Sequence, residues 1–297
     1  MDRKIALLIV NPHARKGQEK FVQVTQYLKK LGFDLIEKLI NDIKSLSQLI
    51  QQYHDQVDLV IIGGGDGTLN AALDGLVSTG LPLGILPLGT ANDLARTLGI
   101  PDSLPEACQV IADGYTRYID LGWVNGKYFH TVASLGLSVT VSRKVTQETK
   151  RRWGMLAYFV AALHKFRLFR PFKAEIRAKE RSISIKAIQI VVGNGRYYAG
   201  GMVVAQYAAI DDQRLDLYSI EVRNWWHTLM LLPAITKGNF AIRHRCVQTI
   251  QAQEIEIYTS SKSRSIDGDG ELIAHTPAHF RVIPHALSVF CSKSSNF

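Results

Sequence analysis

The chain has 297 residues, room for two domains, and 46% hydrophobic against 21% charged residues fits a soluble globular protein rather than a disordered one. A formal net charge of +9 favours anionic partners such as a nucleotide or an acidic membrane surface, but the charge is dispersed and no nucleic-acid-binding module is recognisable. Cys108, Cys246 and Cys291 are scattered without CxxC spacing, which argues against a disulfide framework or zinc site and suits a reducing cytosol.

Taken in chain order, residues 4–10 read as a first buried strand that Asn11-Pro12 ends, followed by a short basic loop. Residues 18–31 carry helical apolar spacing and Gly32 stops them. Residues 33–40 read as a second strand, 43–54 as a second helix and 57–62 as a third strand, β-branched and apolar as a parallel strand buried on both faces should be. A glycine turn follows, then helical spacing over 69–76, a short strand at 83–87, and another glycine-bearing loop and helix. Strands alternating with helices predict a parallel sheet covered on both faces.

The pattern changes near residues 121–125. Beyond it, strands are expected at 173–178, 183–192, 214–222, 253–259, 263–267 and 279–290, with helices at 152–170 and near 225–238. The expected architecture is an α/β N-terminal domain of Rossmann-like type over 1–124 and an all-β sandwich over 125–297, the active site lying in the cleft between them. The last strand is a candidate to return to the first domain.

The third strand ends in Gly63-Gly64-Gly65-Asp66-Gly67-Thr68. Strand, glycine turn and helix together aim backbone N–H groups at an anion; an ordinary strand-to-helix turn uses glycine too. A second loop, Pro87-Leu88-Gly89-Thr90-Ala91-Asn92-Asp93, follows the fourth strand, and loops at strand C-terminal ends lie side by side in a parallel sheet. Asn92 or Asp93 also fits a simple helix cap. Asp120 is a third carboxylate near a strand end. Carboxylates beside a phosphate cradle suit magnesium, which keeps several waters and takes few protein ligands. Asp267-Gly268-Asp269-Gly270 is a strong hairpin signal.

GGGDGT followed by PLGTANDLAR resembles the diacylglycerol kinase catalytic family of lipid kinases, in its small soluble bacterial branch. Residues 5–17, the GNG-type segment at 192–216 and Asp269-Gly270-Glu271 resemble further stretches of that family, in the same order. The resemblance implies ATP phosphates along Gly63, Gly64, Gly65, Asp66, Gly67, Thr68 and Asn70, with Gly89, Thr90 and Asn92 completing the nucleotide site. It implies a catalytic Mg2+ organised mostly through water by Asp66, Asp93 and Asp120. Asp269 would be the general base; Asp267 is the alternative, and the adjacent Glu271, grouped with the catalytic set, favours Asp269. Asp212, with main-chain carbonyls of Ala209 and Arg214, would match a structural metal site. There the family usually has Asp-Gly where this chain has Asp212-Gln213, and a proline where it has Gln206.

The start at Met1 lacks a signal peptide's apolar core, and no apolar run reaches the roughly 18–20 residues of a membrane span. The expectation is therefore a cytoplasmic enzyme acting peripherally at the inner membrane face. Basic and aromatic residues from Lys150 to Val160, continued by Lys165, Arg167, Arg170 and Lys173, fit an interfacial helix as well as a core helix with a solvated end. The Trp225–Pro233 stretch fits an acyl-chain pocket or plain packing. Diacylglycerol is the expected acceptor; phosphatidylglycerol, ceramide or NAD are alternatives, as is a non-catalytic nucleotide- or membrane-binding module. An exposed edge strand leaves a homodimer open. The histidines, His130 among them, show no metal spacing or catalytic pairing and are assigned no role.

Overall fold

The structure, a computed structural model, describes residues 3–12, 14, 17–40, 42–136, 171–179, 181–194, 197–198, 202–203, 209–221, 247–260 and 262–293. The helices expected at 152–170 and near 225–238, the Lys150–Val160 segment and Gln206 lie outside them.

In the first half, strands β1 (Ile5–Val10), β2 (Asp34–Leu39), β3 (Leu59–Gly64) and β4 (Leu83–Pro87) alternate with helices α1 (Gly17–Lys30), α2 (Leu46–Tyr53), α3 (Asp66–Thr79), α4 (Asp93–Thr97) and α5 (Leu104–Ala112). The strands pair in parallel in the spatial order β4-β3-β1-β2. β3 is buried at every residue, which is why it reads as an unbroken apolar run. Each Leu or Ile removed from water there contributes about 1.5–3 kcal/mol.

The second half begins with β5 (Thr116–Val124), β6 (Lys127–Phe129) and β7 (Val132–Gly136), and continues with β8 (Phe172–Ala178), β9 (Arg181–Gly193), β10 (Tyr197–Tyr198) and β11 (Met202–Val203). Then follow β12 (Leu215–Glu221), β13 (Val247–Ala252), β14 (Glu254–Thr259), β15 (Ser265–Gly268), β16 (Glu271–His275) and β17 (Ala278–Phe290). Its pairings are antiparallel.

β17 ties the halves together. Its first residues, Ala278, Phe280 and Val282, pack in the core of the β-rich half, whereas Leu287, Val289 and Phe290 pack in the α/β core. It pairs antiparallel with β5 and, through Val289 opposite Leu83, parallel with β4. β5 crosses in the same way, with Ile119 and Leu121 in one core and Val124 in the other. The two cores therefore share a pair of strands, which holds the loops of the first half against the hairpins of the second.

Two details differ from expectation. Helix α3 starts at Asp66, with Gly65 as its N-cap, and runs to a left-handed C-cap at Gly80. Gly63 and Gly64 are strand residues, so the turn proper is the single residue Gly65. The missing side chains of the other two serve packing: a Cβ on Gly63 would lie 3.0 Å from Leu88 Cδ1 and one on Gly64 2.7 Å from Thr68 Cβ. Strands β13 and β16 are not among those expected; Val-Gln-Thr-Ile-Gln-Ala in β13 lacks a clean apolar alternation.

Candidate active site

The loops after β1, β3 and β4 meet along one edge of the parallel sheet. Asn11 donates its backbone N–H to the Gly63 carbonyl (3.0 Å) and its Nδ2 to Thr68 Oγ1 (3.0 Å). A Cβ on Gly89 would come within 2.4 Å of Gly65 Cα and 2.5 Å of Asn92 Oδ1. The two glycine loops thus touch backbone to backbone, and any side chain there would pry them apart. Asn92 holds its loop by accepting from Gly89 N–H (2.9 Å), and does so at a positive φ of 51°, a conformation asparagine tolerates better than most residues. Asp66 Oδ1 accepts from Leu94 N–H (3.2 Å), so the acid opening α3 also caps α4. Thr90 stands exposed at the rim, Asp93 is buried at the start of α4, and Asn70 Oδ1 is a buried acceptor without a hydrogen-bond partner among the described residues.

The second half meets this edge through the hairpin between β15 and β16. Gly268 pairs with Glu271, leaving Asp269-Gly270 as a two-residue turn with φ of 50° and 90°. Two positive φ values in succession are what an Asp-Gly hairpin supplies. The turn presents the Asp269 carboxylate to residues 130–132. Oδ2 accepts from His130 N–H (2.8 Å); Oδ1 accepts from Thr131 N–H (3.1 Å), Thr131 Oγ1 (2.5 Å) and Val132 N–H (3.1 Å). The side chain is fully buried. Asp267, the alternative base, lies within β15, opposite Leu272 on one side and Ser134 on the other, away from the turn.

His130 joins the halves. Its Nε2 lies 3.3 Å from the Asp66 carbonyl oxygen and 3.6 Å from Asp269 Oδ2, so one nitrogen stands near both the glycine turn and the hairpin acid. Glu271 reaches the same place: a Cβ on Gly67 would sit 3.3 Å from its Oε1. Loss of water raises the Glu271 carboxyl above its usual range, the neighbouring Asp269 adds to the rise, and Lys44 opposes it.

Asp120, expected to act with Asp66 and Asp93, has its carboxylate engaged by backbone N–H groups. It is 1% exposed, its Oδ2 accepts from Gln213 N–H (2.6 Å) and its Oδ1 from His285 N–H (2.8 Å). Its carboxylate ties the 209–214 loop to the irregular stretch of β17. Its link to the site runs through the backbone: Asn194 Nδ2 donates to the carbonyls of both Asp120 (2.8 Å) and His130 (3.0 Å). Among the described residues no group of three or more His, Cys, Asp or Glu side chains is arranged to hold a metal directly. A surface hollow of about 410 Å³ is lined by Arg117, Tyr118, Asp211 and His285, beside the Asp120 tie rather than at the glycine loops.

The three residues expected at a structural metal site, Asp212, Ala209 and Arg214, stand together. Asp212 Oδ1 accepts from Arg214 N–H (3.1 Å), and the backbone of Ala209 also hydrogen-bonds the carboxylate. Gln213 sits at φ 58°, where a glycine would be unstrained. Gln213→Gly is expected to stabilise the protein by about 0.5–1 kcal/mol, because relief of a left-handed residue (about 1–2 kcal/mol) exceeds glycine's extra chain entropy. Chemical denaturation checks this; a loss of stability would contradict it.

Burial raises the carboxyl of Asp216, and burial followed by the charge of Asp216 raises that of Asp212. A carboxyl raised in the folded state disfavours folding at neutral pH. That penalty fades as pH falls through the raised folded value toward about 3.9, the unfolded value of aspartate. Asp216→Asn is therefore expected to be more stable than the parent at pH 7, with the gap closing on acidification. A gap that widens in denaturation curves between pH 7 and 4 would refute this.

Sequence reasoning missed His130, Thr131, Asn194 and Asn11 as site residues. Their partners lie 57–139 positions away, a relation that no local pattern carries.

Comparison with known proteins accounts for both halves. The diacylglycerol kinase catalytic domain profile matches residues 5–124, and that of the YegS C-terminal NAD kinase beta sandwich-like domain matches residues 131–291. A diacylglycerol kinase of Mycobacterium tuberculosis is 31% identical over 273 residues, covering 88% of this chain and 86% of that protein. One from Staphylococcus epidermidis is 27% identical over 298 residues, covering 98% and 93%. The crystal structure of a diacylglycerol kinase from Bacillus anthracis superposes with a TM-score of 0.79 at 23% identity, covering 99% of both chains, which shows the shared fold. With its glycine loops, hairpin acid and two matched domains, the chain belongs to the diacylglycerol kinase catalytic family of lipid kinases.

Proposed function

We propose that the protein transfers the γ-phosphate of ATP to the hydroxyl of a membrane lipid, diacylglycerol first among the acceptors, giving phosphatidic acid. The observation that carries this reading is that one His130 nitrogen lies near both the main-chain carbonyl of Asp66, at the glycine turn, and the Asp269 carboxylate. Phosphoryl transfer depends mainly on positioning and charge neutralisation, and here the glycine turn and a carboxylate from a distant hairpin lie at one seam.

The residues present fit a nucleotide. Gly65 and Gly89 bring the two loops into backbone contact with no side chain between them, and helix α3 begins at the next residue, so its N-terminal N–H groups suit a phosphate there. The phosphates would run along Gly63 to Thr68 and Asn70, with Gly89, Thr90 and Asn92 on the second wall. Asp66 and Asp93 open successive helices and would hold Mg2+ through water. Magnesium, when bound, neutralises charge on the transferred phosphoryl group. Asp120 would act from behind, through the Asn194 bridge its carbonyl shares with His130. Asp269 would accept the lipid hydroxyl's proton as the new P–O bond forms and ADP leaves. Glu271, whose Oε1 reaches Gly67, would stand beside the incoming phosphates.

Among the described residues no helix is long and apolar enough to cross a membrane; the proposed enzyme would meet its lipid peripherally at the inner face. The protein incubated with ATP, Mg2+ and total bacterial lipid, with products read by mass spectrometry, is expected to phosphorylate diacylglycerol. Labelling of NAD, phosphatidylglycerol or ceramide in its place would reassign the acceptor. ATP binding without turnover on any of them would refute the kinase reading.

A further inference from the structure

His130 has no part in the transfer described above, yet it occupies the centre of the seam. Its side chain is fully buried. Its backbone is fixed from two sides: its N–H donates to Asp269 Oδ2, and its carbonyl accepts from Asn194 Nδ2. Asn194 N–H also donates to the Thr131 carbonyl (2.8 Å), which leaves the loop little freedom.

The ring's chemistry follows from its neighbours. Nε2 faces the Asp66 carbonyl oxygen at 3.3 Å, and a carbonyl can only accept. The second neighbour, Asp269 Oδ2 at 3.6 Å, already accepts from the His130 backbone. Nε2 must therefore carry a hydrogen. Nδ1 is buried with no hydrogen-bond partner among the described residues.

We propose that His130 is a positioning residue whose Nε2–H pins the Asp66 end of the glycine turn to the Asp269 hairpin, setting the distance between phosphate cradle and base. Asp66 O opens helix α3 in the α/β half, and Asp269 belongs to the β-rich half; the ring spans the boundary where a sub-ångström error in alignment would separate donor from acceptor. This inference rests on the lipid-kinase reading for its kinetic consequences, but not for its geometry.

Wild-type turnover with ATP, Mg2+ and diacylglycerol in mixed micelles is measured first; if it is absent, the kinase reading fails and the pin is judged by spectroscopy alone. His130→Gln places an amide N–H near the Nε2 position, His130→Asn reaches only the Nδ1 position, and His130→Leu fills the space with no donor. The glutamine variant is expected to keep kcat within about 5-fold, while asparagine and leucine lose about 100-fold, with KM for ATP within about 3-fold throughout. Equal kcat for glutamine and leucine, or a loss confined to KM, overturns the proposal. Should the leucine variant not fold, the glutamine–asparagine comparison decides. Independently, 15N NMR is expected to show a proton on His130 Nε2; a bare Nε2 overturns the pin whatever the activity.

Discussion

Asp269→Asn is expected to lower kcat by about 10²–10⁴-fold, the usual worth of a positioned general base, while Asp267→Asn stays within a few-fold of the parent. The difference follows from the hairpin. Asp269 is in the turn, beside His130 and the Asp66 carbonyl, whereas Asp267 is locked in strand pairing between β7 and β16. Asparagine is the informative replacement because it tolerates the φ of 50° at this position. It also carries a structural cost. Its amide can keep one oxygen for Thr131 and Val132, but the NH2 then faces the His130 N–H that Oδ2 now accepts. A buried donor left unmatched costs about 1–3 kcal/mol, so a moderate fall in Tm should accompany the kinetic loss. Steady-state kinetics at saturating ATP on folded protein separates the two; full activity in Asp269→Asn would remove Asp269 from the chemistry.

Gly89→Ala is expected to raise KM for ATP by at least about 10-fold and to destabilise the protein by about 1–3 kcal/mol, the range for overpacking. The added Cβ would meet Gly65 Cα at 2.4 Å and Asn92 Oδ1 at 2.5 Å. The first of these is backbone and cannot rotate aside. Gly65 caps α3 and Asn92 precedes α4, so relieving the clash moves both helix starts, and with them the N–H groups proposed to meet phosphate. Nucleotide titration by calorimetry checks this; unchanged affinity would show that the loop contact does not shape the nucleotide site.

The α/β half was legible because its parallel strands are buried throughout and so appear as apolar runs such as Leu59–Ile62. The glycine turn was legible in kind but not in extent. Gly63 and Gly64 look like turn residues in sequence, yet they are strand residues whose missing Cβ makes room for Leu88 and Thr68. The Asp-Gly hairpin was legible from local chemistry alone. What it faces was not: the donors to Asp269 lie 137–139 residues earlier. Asp120 shows the converse. The family resemblance implies a metal role for it, and the fold adds what no local pattern shows: backbone N–H groups 93 and 165 residues away hold its carboxylate. His130 was invisible because its meaning lies wholly in two oxygens from opposite halves of the chain.

The most direct test is the structure of the protein with a non-hydrolysable ATP analogue and Mg2+. The γ-phosphate is expected in the crevice between the Gly65–Gly89 contact and the Asp269 hairpin, with magnesium reaching Asp66 and Asp93 through water. Nucleotide bound elsewhere, or a γ-phosphate separated from Asp269 by more than an alcohol oxygen can bridge, would contradict the shared site.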